Sequence, residues 1–198
     1  MDNLKSAALV FNGLLDVKYK IILGKRGKLT EFYIGFEKED FFHLIGLQYL
    51  RDIPQLKKNR GIIFDKIISG EITEAFISKS PFYKDIQQRI IDFVLFEELL
   101  DSNELIFKYA CNRATFSDIP AEYLLKTIYN YRTNYIFIDK SNDRTHKFCR
   151  SFFFNENNNY TQNQITTTLL YKEKIFANGN SIVQLDKIKK DNIQPSSS

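Results

Sequence analysis

The stretch that decides the fold is "KFCRSFFFNENNNYTQNQITTTLLYKEKIFANGNSIVQLDKI", Lys147 to Ile188. Its apolar runs are short and rich in β-branched and aromatic residues, which favours strands over helices. "RTHKFCRSFFFN", starting at Arg144, reads as one strand and "QITTTLLYKEKIF" as the next, with the polar turn "ENNNYTQN" between them. "NGNS" signals a tight turn, and "SIVQLDKI" is a last strand. Successive strands joined by turns predict an antiparallel sheet in the last third of the chain.

Upstream, "NYIFIDK" (134–140) and "ELIFKYACN" (104–112) also read as strands. "SDIPAEYLLKTIYNYR" (117–132) reads as a helix that begins at a proline. "SPFYKDIQQRIIDFVLFEELLDSN" (80–103) reads as one long helix, with Ser80 as its cap and Pro81 in its first turn. Phe82, Ile86, Ile90, Phe93 and Leu100 lie along one face, interrupted by Glu97. "IIFDKIISG" and "EITEAFISKS" read as short helical or mixed pieces, and "RDIPQLKKNRG" as a loop. At the N-terminus, "LKSAALVFNGLLD" has helical spacing. "YKIILG" and "LTEFYIGF" then flank the basic turn "GKRGK", as in a β-hairpin. The expected class is α+β: an N-terminal helix and β-hairpin, central helices, and a C-terminal antiparallel sheet.

A length of 198 residues suits one domain, expected over 1–190 with a flexible polar tail at 191–198. The 18 Phe and 11 Tyr, with no Trp, make the core strongly aromatic. Two scattered cysteines form neither a disulfide framework nor zinc-ligand spacing, so a reduced, cytoplasmic setting is expected. No run approaches the length of apolar residues that a membrane span needs, and no membrane partner is expected. The net charge of +4 is mild, but Lys18 to Lys28 holds five basic residues and no acid. A basic face of this kind attracts polyanions, although an ordinary solvated surface has the same composition. There is no P-loop, GxGxxG, HExxH or GxSxG motif, so ATP-driven, nicotinamide and zinc chemistry have no sequence support.

Two places could carry chemistry. In "EDFFHLIGLQYLRD" (39–52), apolar residues spread around the whole helical wheel, so a buried helix is expected. His43 lies on the side of Gly46, and a glycine within a helix suits a place where another backbone comes close. The late hairpin is the expected neighbour. Periodicity alone favours a hydrogen-bonded core histidine over a catalytic one. In the late hairpin, Gln164, Thr166, Thr168 and Lys172 share a strand face that could hold a phosphate. An ordinary solvent-facing strand has the same pattern.

"FYIGFEKEDFFHLIGLQYLRD" after a helix and basic hairpin, followed much later by "SF…Y(T)xxQ…T", resembles one of the phage-associated nuclease families. These families have the barnase–EndoU–colicin–RelE-like (BECR) fold, and the likeness is to the fourth of them. His43, Leu44 and Gly46 match the first motif. Ser151, Phe152, Tyr160, Thr161, Gln164 and Thr168 match the second.

The resemblance implies a small RNase-like toxin or effector of mobile-element origin. It would cleave RNA by 2′-OH attack, with no metal and no cofactor. RNA, and an antitoxin or immunity protein, are the implied partners. The implied catalytic set is His43, Arg150, Ser151, Tyr160 and Thr168, with Lys25, Arg26, Gln164 and Lys172 binding substrate. His146 is a second acid/base candidate. The catalytic arginine stays open among Arg26, Arg51, Arg113 and Arg150. The alternatives are a non-catalytic RNA- or protein-binding module and a degenerate member of the same fold.

Overall fold

A computed structural model describes residues 2–102, 105–113, 117–155 and 157–188. The segment expected as a polar tail, 191–198, lies outside the described residues. Six helices run α1 (Asn3–Asn12), α2 (Lys38–Leu44), α3 (Arg60–Ser69), α4 (Glu74–Ile77), α5 (Lys84–Asp92) and α6 (Phe96–Asp101). Eight strands run β1 (Val17–Lys25), β2 (Lys28–Ile34), β3 (Leu105–Lys108), β4 (Tyr123–Tyr129), β5 (Arg132–Lys140), β6 (Lys147–Phe154), β7 (Ile165–Phe176) and β8 (Ser181–Asp186).

The α+β class holds, but the layout differs from an isolated C-terminal sheet. The N-terminal hairpin and the later strands form one sheet, ordered β1-β2-β6-β5-β4-β3-β7, and β7 returns to pair with β1. The result is a closed seven-strand barrel with β8 added along β7. Closure removes sheet edges that would otherwise need covering. Long-range pairing does this: Val17 lies opposite Phe176 and Gly24 opposite Thr168. The seam between β2 and β6 is parallel and short, registered at Ile34 and Lys147.

Two sequence expectations fail for local reasons. Residues 123–129 form strand β4, not a helix. Tyr123, Leu125 and Thr127 turn inward together, and Asn130 and Tyr131 (φ 47° and 63°) make the two-residue turn into β5. Positive φ at both central positions is the backbone that twists a hairpin correctly. The long helix expected over 80–103 is instead α5 and α6, separated by a 3₁₀ turn at Phe93–Leu95, and Pro81 precedes α5 in a turn. The break stacks Phe93 on Phe96 at 4.7 Å between ring centroids. Phe152 of β6 meets both rings edge-on, at 5.4 and 5.2 Å. Such contacts add roughly 0.5–1.5 kcal/mol per pair beyond area burial. Glu97, the polar interruption in the stripe, binds Lys174 of β7 at 2.7 Å.

The main core joins the helices to the barrel through Phe11, Phe41, Phe64, Phe93, Phe96 and Phe152. A second, smaller core lies on the opposite face of β4 and β5, built from Leu124, Tyr135 and Phe137 with Phe107, Tyr109 and Tyr160. Ser151 pairs with Phe137 and Phe153 with Tyr135, so the outer residues of β6 border this second core.

Among the described residues, no helix is long and apolar enough to cross a membrane.

Candidate active site

His43 sits in the last turn of α2, and the chemistry of that helix fixes its position. The Asp40 carboxylate accepts from the backbone N–H of Glu37 at 2.9 Å, which closes the first turn. Asp40 is buried, and Arg144 on the β5–β6 connection binds it at 2.8 Å. Burial raises the Asp40 pKa, while the Glu37 N–H and Arg144 oppose the rise. Arg144 thereby fastens the start of α2 to the strand that carries Arg150 and Ser151.

The helix does not run on to Asp52. It stops after Leu44, and Gly46 takes the left-handed conformation (φ 86°, ψ 17°) before a short 3₁₀ turn at Leu47–Tyr49. Glycine ends a helix this way without a Cβ clash. A Cβ at Gly46 would stand 2.8 Å from Ile86 Cγ2 and 3.4 Å from Arg89 Nη1. The element packed beside Gly46 is therefore α5, not the late hairpin.

His43 is half-buried and opens onto a cleft of about 320 Å³. Gln48, Tyr49 and Arg89 line it from the helical side, Arg150, Ser151 and Phe153 from β6, and residues 118–120 from a loop. The histidine that periodicity alone would put in the core, and the resemblance in a site, is a wall of a cleft. Burial lowers the His43 pKa, and the charges of Arg60 and Arg150 lower it further, against an opposing pull from Gln48. Both effects favour the neutral imidazole, the form that accepts a proton.

Arg150 and Ser151 owe their position to a β-bulge. Phe137 pairs with Ser151 but Ile138 pairs with Cys149, which leaves Arg150 as the extra residue. Cys149 and Phe152 are both buried in the main core, so the two residues between them turn away from it. A strict two-residue alternation would have separated them. Arg150 Nε donates to Asp139 Oδ2 at 2.8 Å.

Tyr160 lines an adjacent groove of about 310 Å³ that shares Tyr49, Arg89, Ile119 and Phe153 with the cleft. Its ring packs 5.3 Å from Phe153 and 4.9 Å from Tyr135. Burial raises its pKa, with Asn158 and Arg89 opposing, so the phenol keeps its proton.

The other expected site residues lie elsewhere. Thr168 pairs with Gly24 near the tip of the first hairpin. There it lines a groove of about 610 Å³ with Lys25, Arg26, Lys28 and Thr166. Helix α2 follows Ile34, at the other end of the same ladder, where Ile34 pairs with Tyr19.

Of the expected row of Gln164, Thr166, Thr168 and Lys172, only Thr166 and Thr168 share a face. A bulge at Leu170 reverses the alternation of β7, so Thr167, Leu169, Lys172 and Lys174 are the inward residues. Gly24 leaves the space that the Leu170 side chain needs, since a Cβ there would meet Leu170 Cδ1 at 2.7 Å. Gln164 spends its whole amide on Ala110, accepting from its N–H at 2.9 Å and donating to its carbonyl at 3.1 Å. Lys172 is buried and donates to the carbonyls of Leu100 and Ser102 at the end of α6. Burial pushes its pKa down to about 8.

His146 packs on Gly35, where a Cβ would come within 2.6 Å of its ring, and lies 3.8 Å from Glu37 Oε1. It does not line the His43 cleft. Arg89 is the arginine that sequence reading missed. Its signal was position: it falls three residues after Ile86 and one before Ile90, beside the apolar stripe of α5.

The fold is a closed barrel braced by helices, and His43, Ser151, Arg89 and Arg150 converge on one cleft. The chain belongs to the phage-Barnase-EndoU-ColicinE5/D-RelE-like nuclease 4 family, whose profile matches residues 3–189. No curated protein and no solved structure matches it.

Proposed function

We propose that the protein is a metal-independent endoribonuclease that cleaves RNA at the His43 cleft. The observation that carries this reading is the half-buried His43, its pKa lowered by burial, lining one cleft with Ser151 and Arg150. His43 takes the proton of a ribose 2′-OH. The 2′-oxygen attacks the adjacent phosphorus, the bond from phosphorus to the 5′-oxygen breaks, and the 5′-oxygen gains a proton. Tyr160, held as a phenol, is the candidate donor. Ser151 and the Arg150 guanidinium face the charge that builds on phosphorus. Family membership supports a nuclease, and RNA as its substrate is part of the proposal, supported by a histidine in the cleft able to take the proton of a 2′-OH. A role as a phage-borne toxin or effector, held in check by an antitoxin or immunity protein, belongs to the same proposal.

Incubation of the purified protein with RNA in EDTA tests it. Wild type is expected to cleave, and His43→Ala to lose about 100-fold or more of the rate. RNA left intact by the wild type, or cut equally by the variant, refutes the reading. A second reading, a module that binds RNA without cutting it, draws on the basic groove at the hairpin tip. Among the described residues, no acidic side chain lines that groove. It predicts salt-sensitive RNA retention that survives His43→Ala.

A further inference from the structure

We propose that Arg89 holds a backbone phosphate of bound RNA, and that the groove beyond it, walled by Phe153 and Tyr160, takes the neighbouring base. The proposal deepens the nuclease reading and rests on it for the choice of RNA.

Arg89 is the charged side chain common to the His43 cleft and the Tyr160 groove. Its guanidinium lies 5.8 Å from the centroid of the Tyr49 ring and 5.4 Å from that of Phe153. Rings on two sides fix the plane of the fork. Among the described residues no carboxylate pairs with it. Arg150, the other arginine lining the cleft, already carries an ion pair to Asp139, and Arg132 pairs with Asp92 of the groove wall, each at 2.8 Å. Asp92, the carboxylate one turn along α5 from Arg89, also takes a bond from Gln88 at 3.0 Å. Asp85 and Asp118, which line the groove and the cleft, are exposed, and neither bonds to Arg89.

Burial lowers the Arg89 pKa from its usual value, and Tyr49 and Tyr160 act the other way. A partly desolvated guanidinium with no anion is costly, and a phosphate offsets that cost with two parallel N–H···O bonds. Tyr49 also bonds to the guanidinium, which leaves its charge without an anion, and Gln48 lines the same cleft beside His43. Phe153, partly exposed, offers the aromatic surface on which a base stacks in sequence-tolerant fashion, and the buried Tyr160 backs it from the groove wall.

The test is fluorescence anisotropy with a labelled 2′-O-methyl oligoribonucleotide, which keeps every phosphate but cannot be cleaved by 2′-OH attack. Arg89→Gln is expected to weaken binding by about 10- to 100-fold. It should also reduce the slope of log K against log salt by about 0.7, the loss of one phosphate contact on a single strand. Arg89→Lys keeps the charge and the stem, and is the variant to read should Arg89→Gln fail to fold. It is expected to keep the slope but bind about 10-fold more weakly, because an ammonium cannot fork. A purely structural arginine would change the melting temperature and leave affinity and slope in place, which overturns the proposal. Binding through Arg89 with unmodified RNA left whole would sink the nuclease reading and leave the clamp standing. Cleavage by a protein whose Arg89→Gln variant binds as well as wild type would do the reverse.

Discussion

Gly46→Ala isolates the contact that joins the His43 turn to the helix carrying Arg89. The backbone there has φ 86°, and the added methyl meets Ile86 Cγ2 at 2.8 Å and Tyr49 Cδ2 at 3.3 Å. An L-residue in the left-handed region costs about 1–2 kcal/mol. Overpacking against Ile86, which is fully buried, adds about 1–2 kcal/mol, because neither the ring nor the helix gives way freely. A loss of about 2–4 kcal/mol is therefore expected in urea unfolding, a fall of about 1–2 M in the midpoint for a chain of this size. Ile86→Ala separates the two parts. Alone it leaves a cavity and costs about 2–4 kcal/mol. Combined with Gly46→Ala it removes the obstructing methyl, so the double variant should cost about 1–2 kcal/mol less than the sum. Strict additivity, or a loss below about 0.5 kcal/mol for Gly46→Ala alone, would show that α5 does not press on Gly46.

Two further outcomes follow from charges in the fold. The His43 ring should titrate below the usual histidine value by NMR, and Arg60→Gln should move its midpoint upward by removing the larger of the two repelling charges. Because the folded value is depressed, the stability tied to neutral His43 is complete above the unfolded value of about 6.5 and is lost as pH falls below it. An acid limb of cleavage that starts above that value would contradict the assignment. For Lys172, depressed to about 8 from 10.5, the unfolded chain holds more protons between those values, so the wild type gains stability as pH rises through the window. The difference in unfolding free energy between wild type and Lys172→Met should shift toward the wild type from pH 8 to 10.5. A difference that does not change with pH would place the ammonium outside the core.

Much of the fold was legible because strands announce themselves locally. The first hairpin, β3 and β5 through β8 all appear where alternation and turn residues put them. Barrel closure was not legible, since it depends on β1 and β7 meeting across most of the chain and no local pattern records that pairing. Strand β4 was misread for a related reason. A proline followed by a mostly apolar run suits either state until the Asn130–Tyr131 turn and the partner strand decide it. At the cleft, the family resemblance named His43, Arg150 and Ser151 together, but strand periodicity alone did not, because a one-residue bulge at Arg150 decides which side chains of β6 share a face, as a bulge at Leu170 does for β7. A strand read at strict period two moves every residue beyond such a bulge to the wrong side. That error put Lys172 in line with Thr168, when Lys172 caps α6 from within the core.

Arg89 shows the opposite case, a residue whose signal was present and passed over. Glu97 stood out because it broke the apolar stripe at an expected position, and it proved to have a partner in Lys174. Arg89 borders the same stripe between Ile86 and Ile90, and its stem crosses apolar surface while its head reaches the cleft. A charged residue on a stripe implies a buried partner of opposite charge. Where the folded chain supplies that partner, as for Glu97, the residue holds the structure together. Where the described residues supply rings and no carboxylate, as for Arg89, the partner is the one the oligoribonucleotide binding experiment looks for in a ligand.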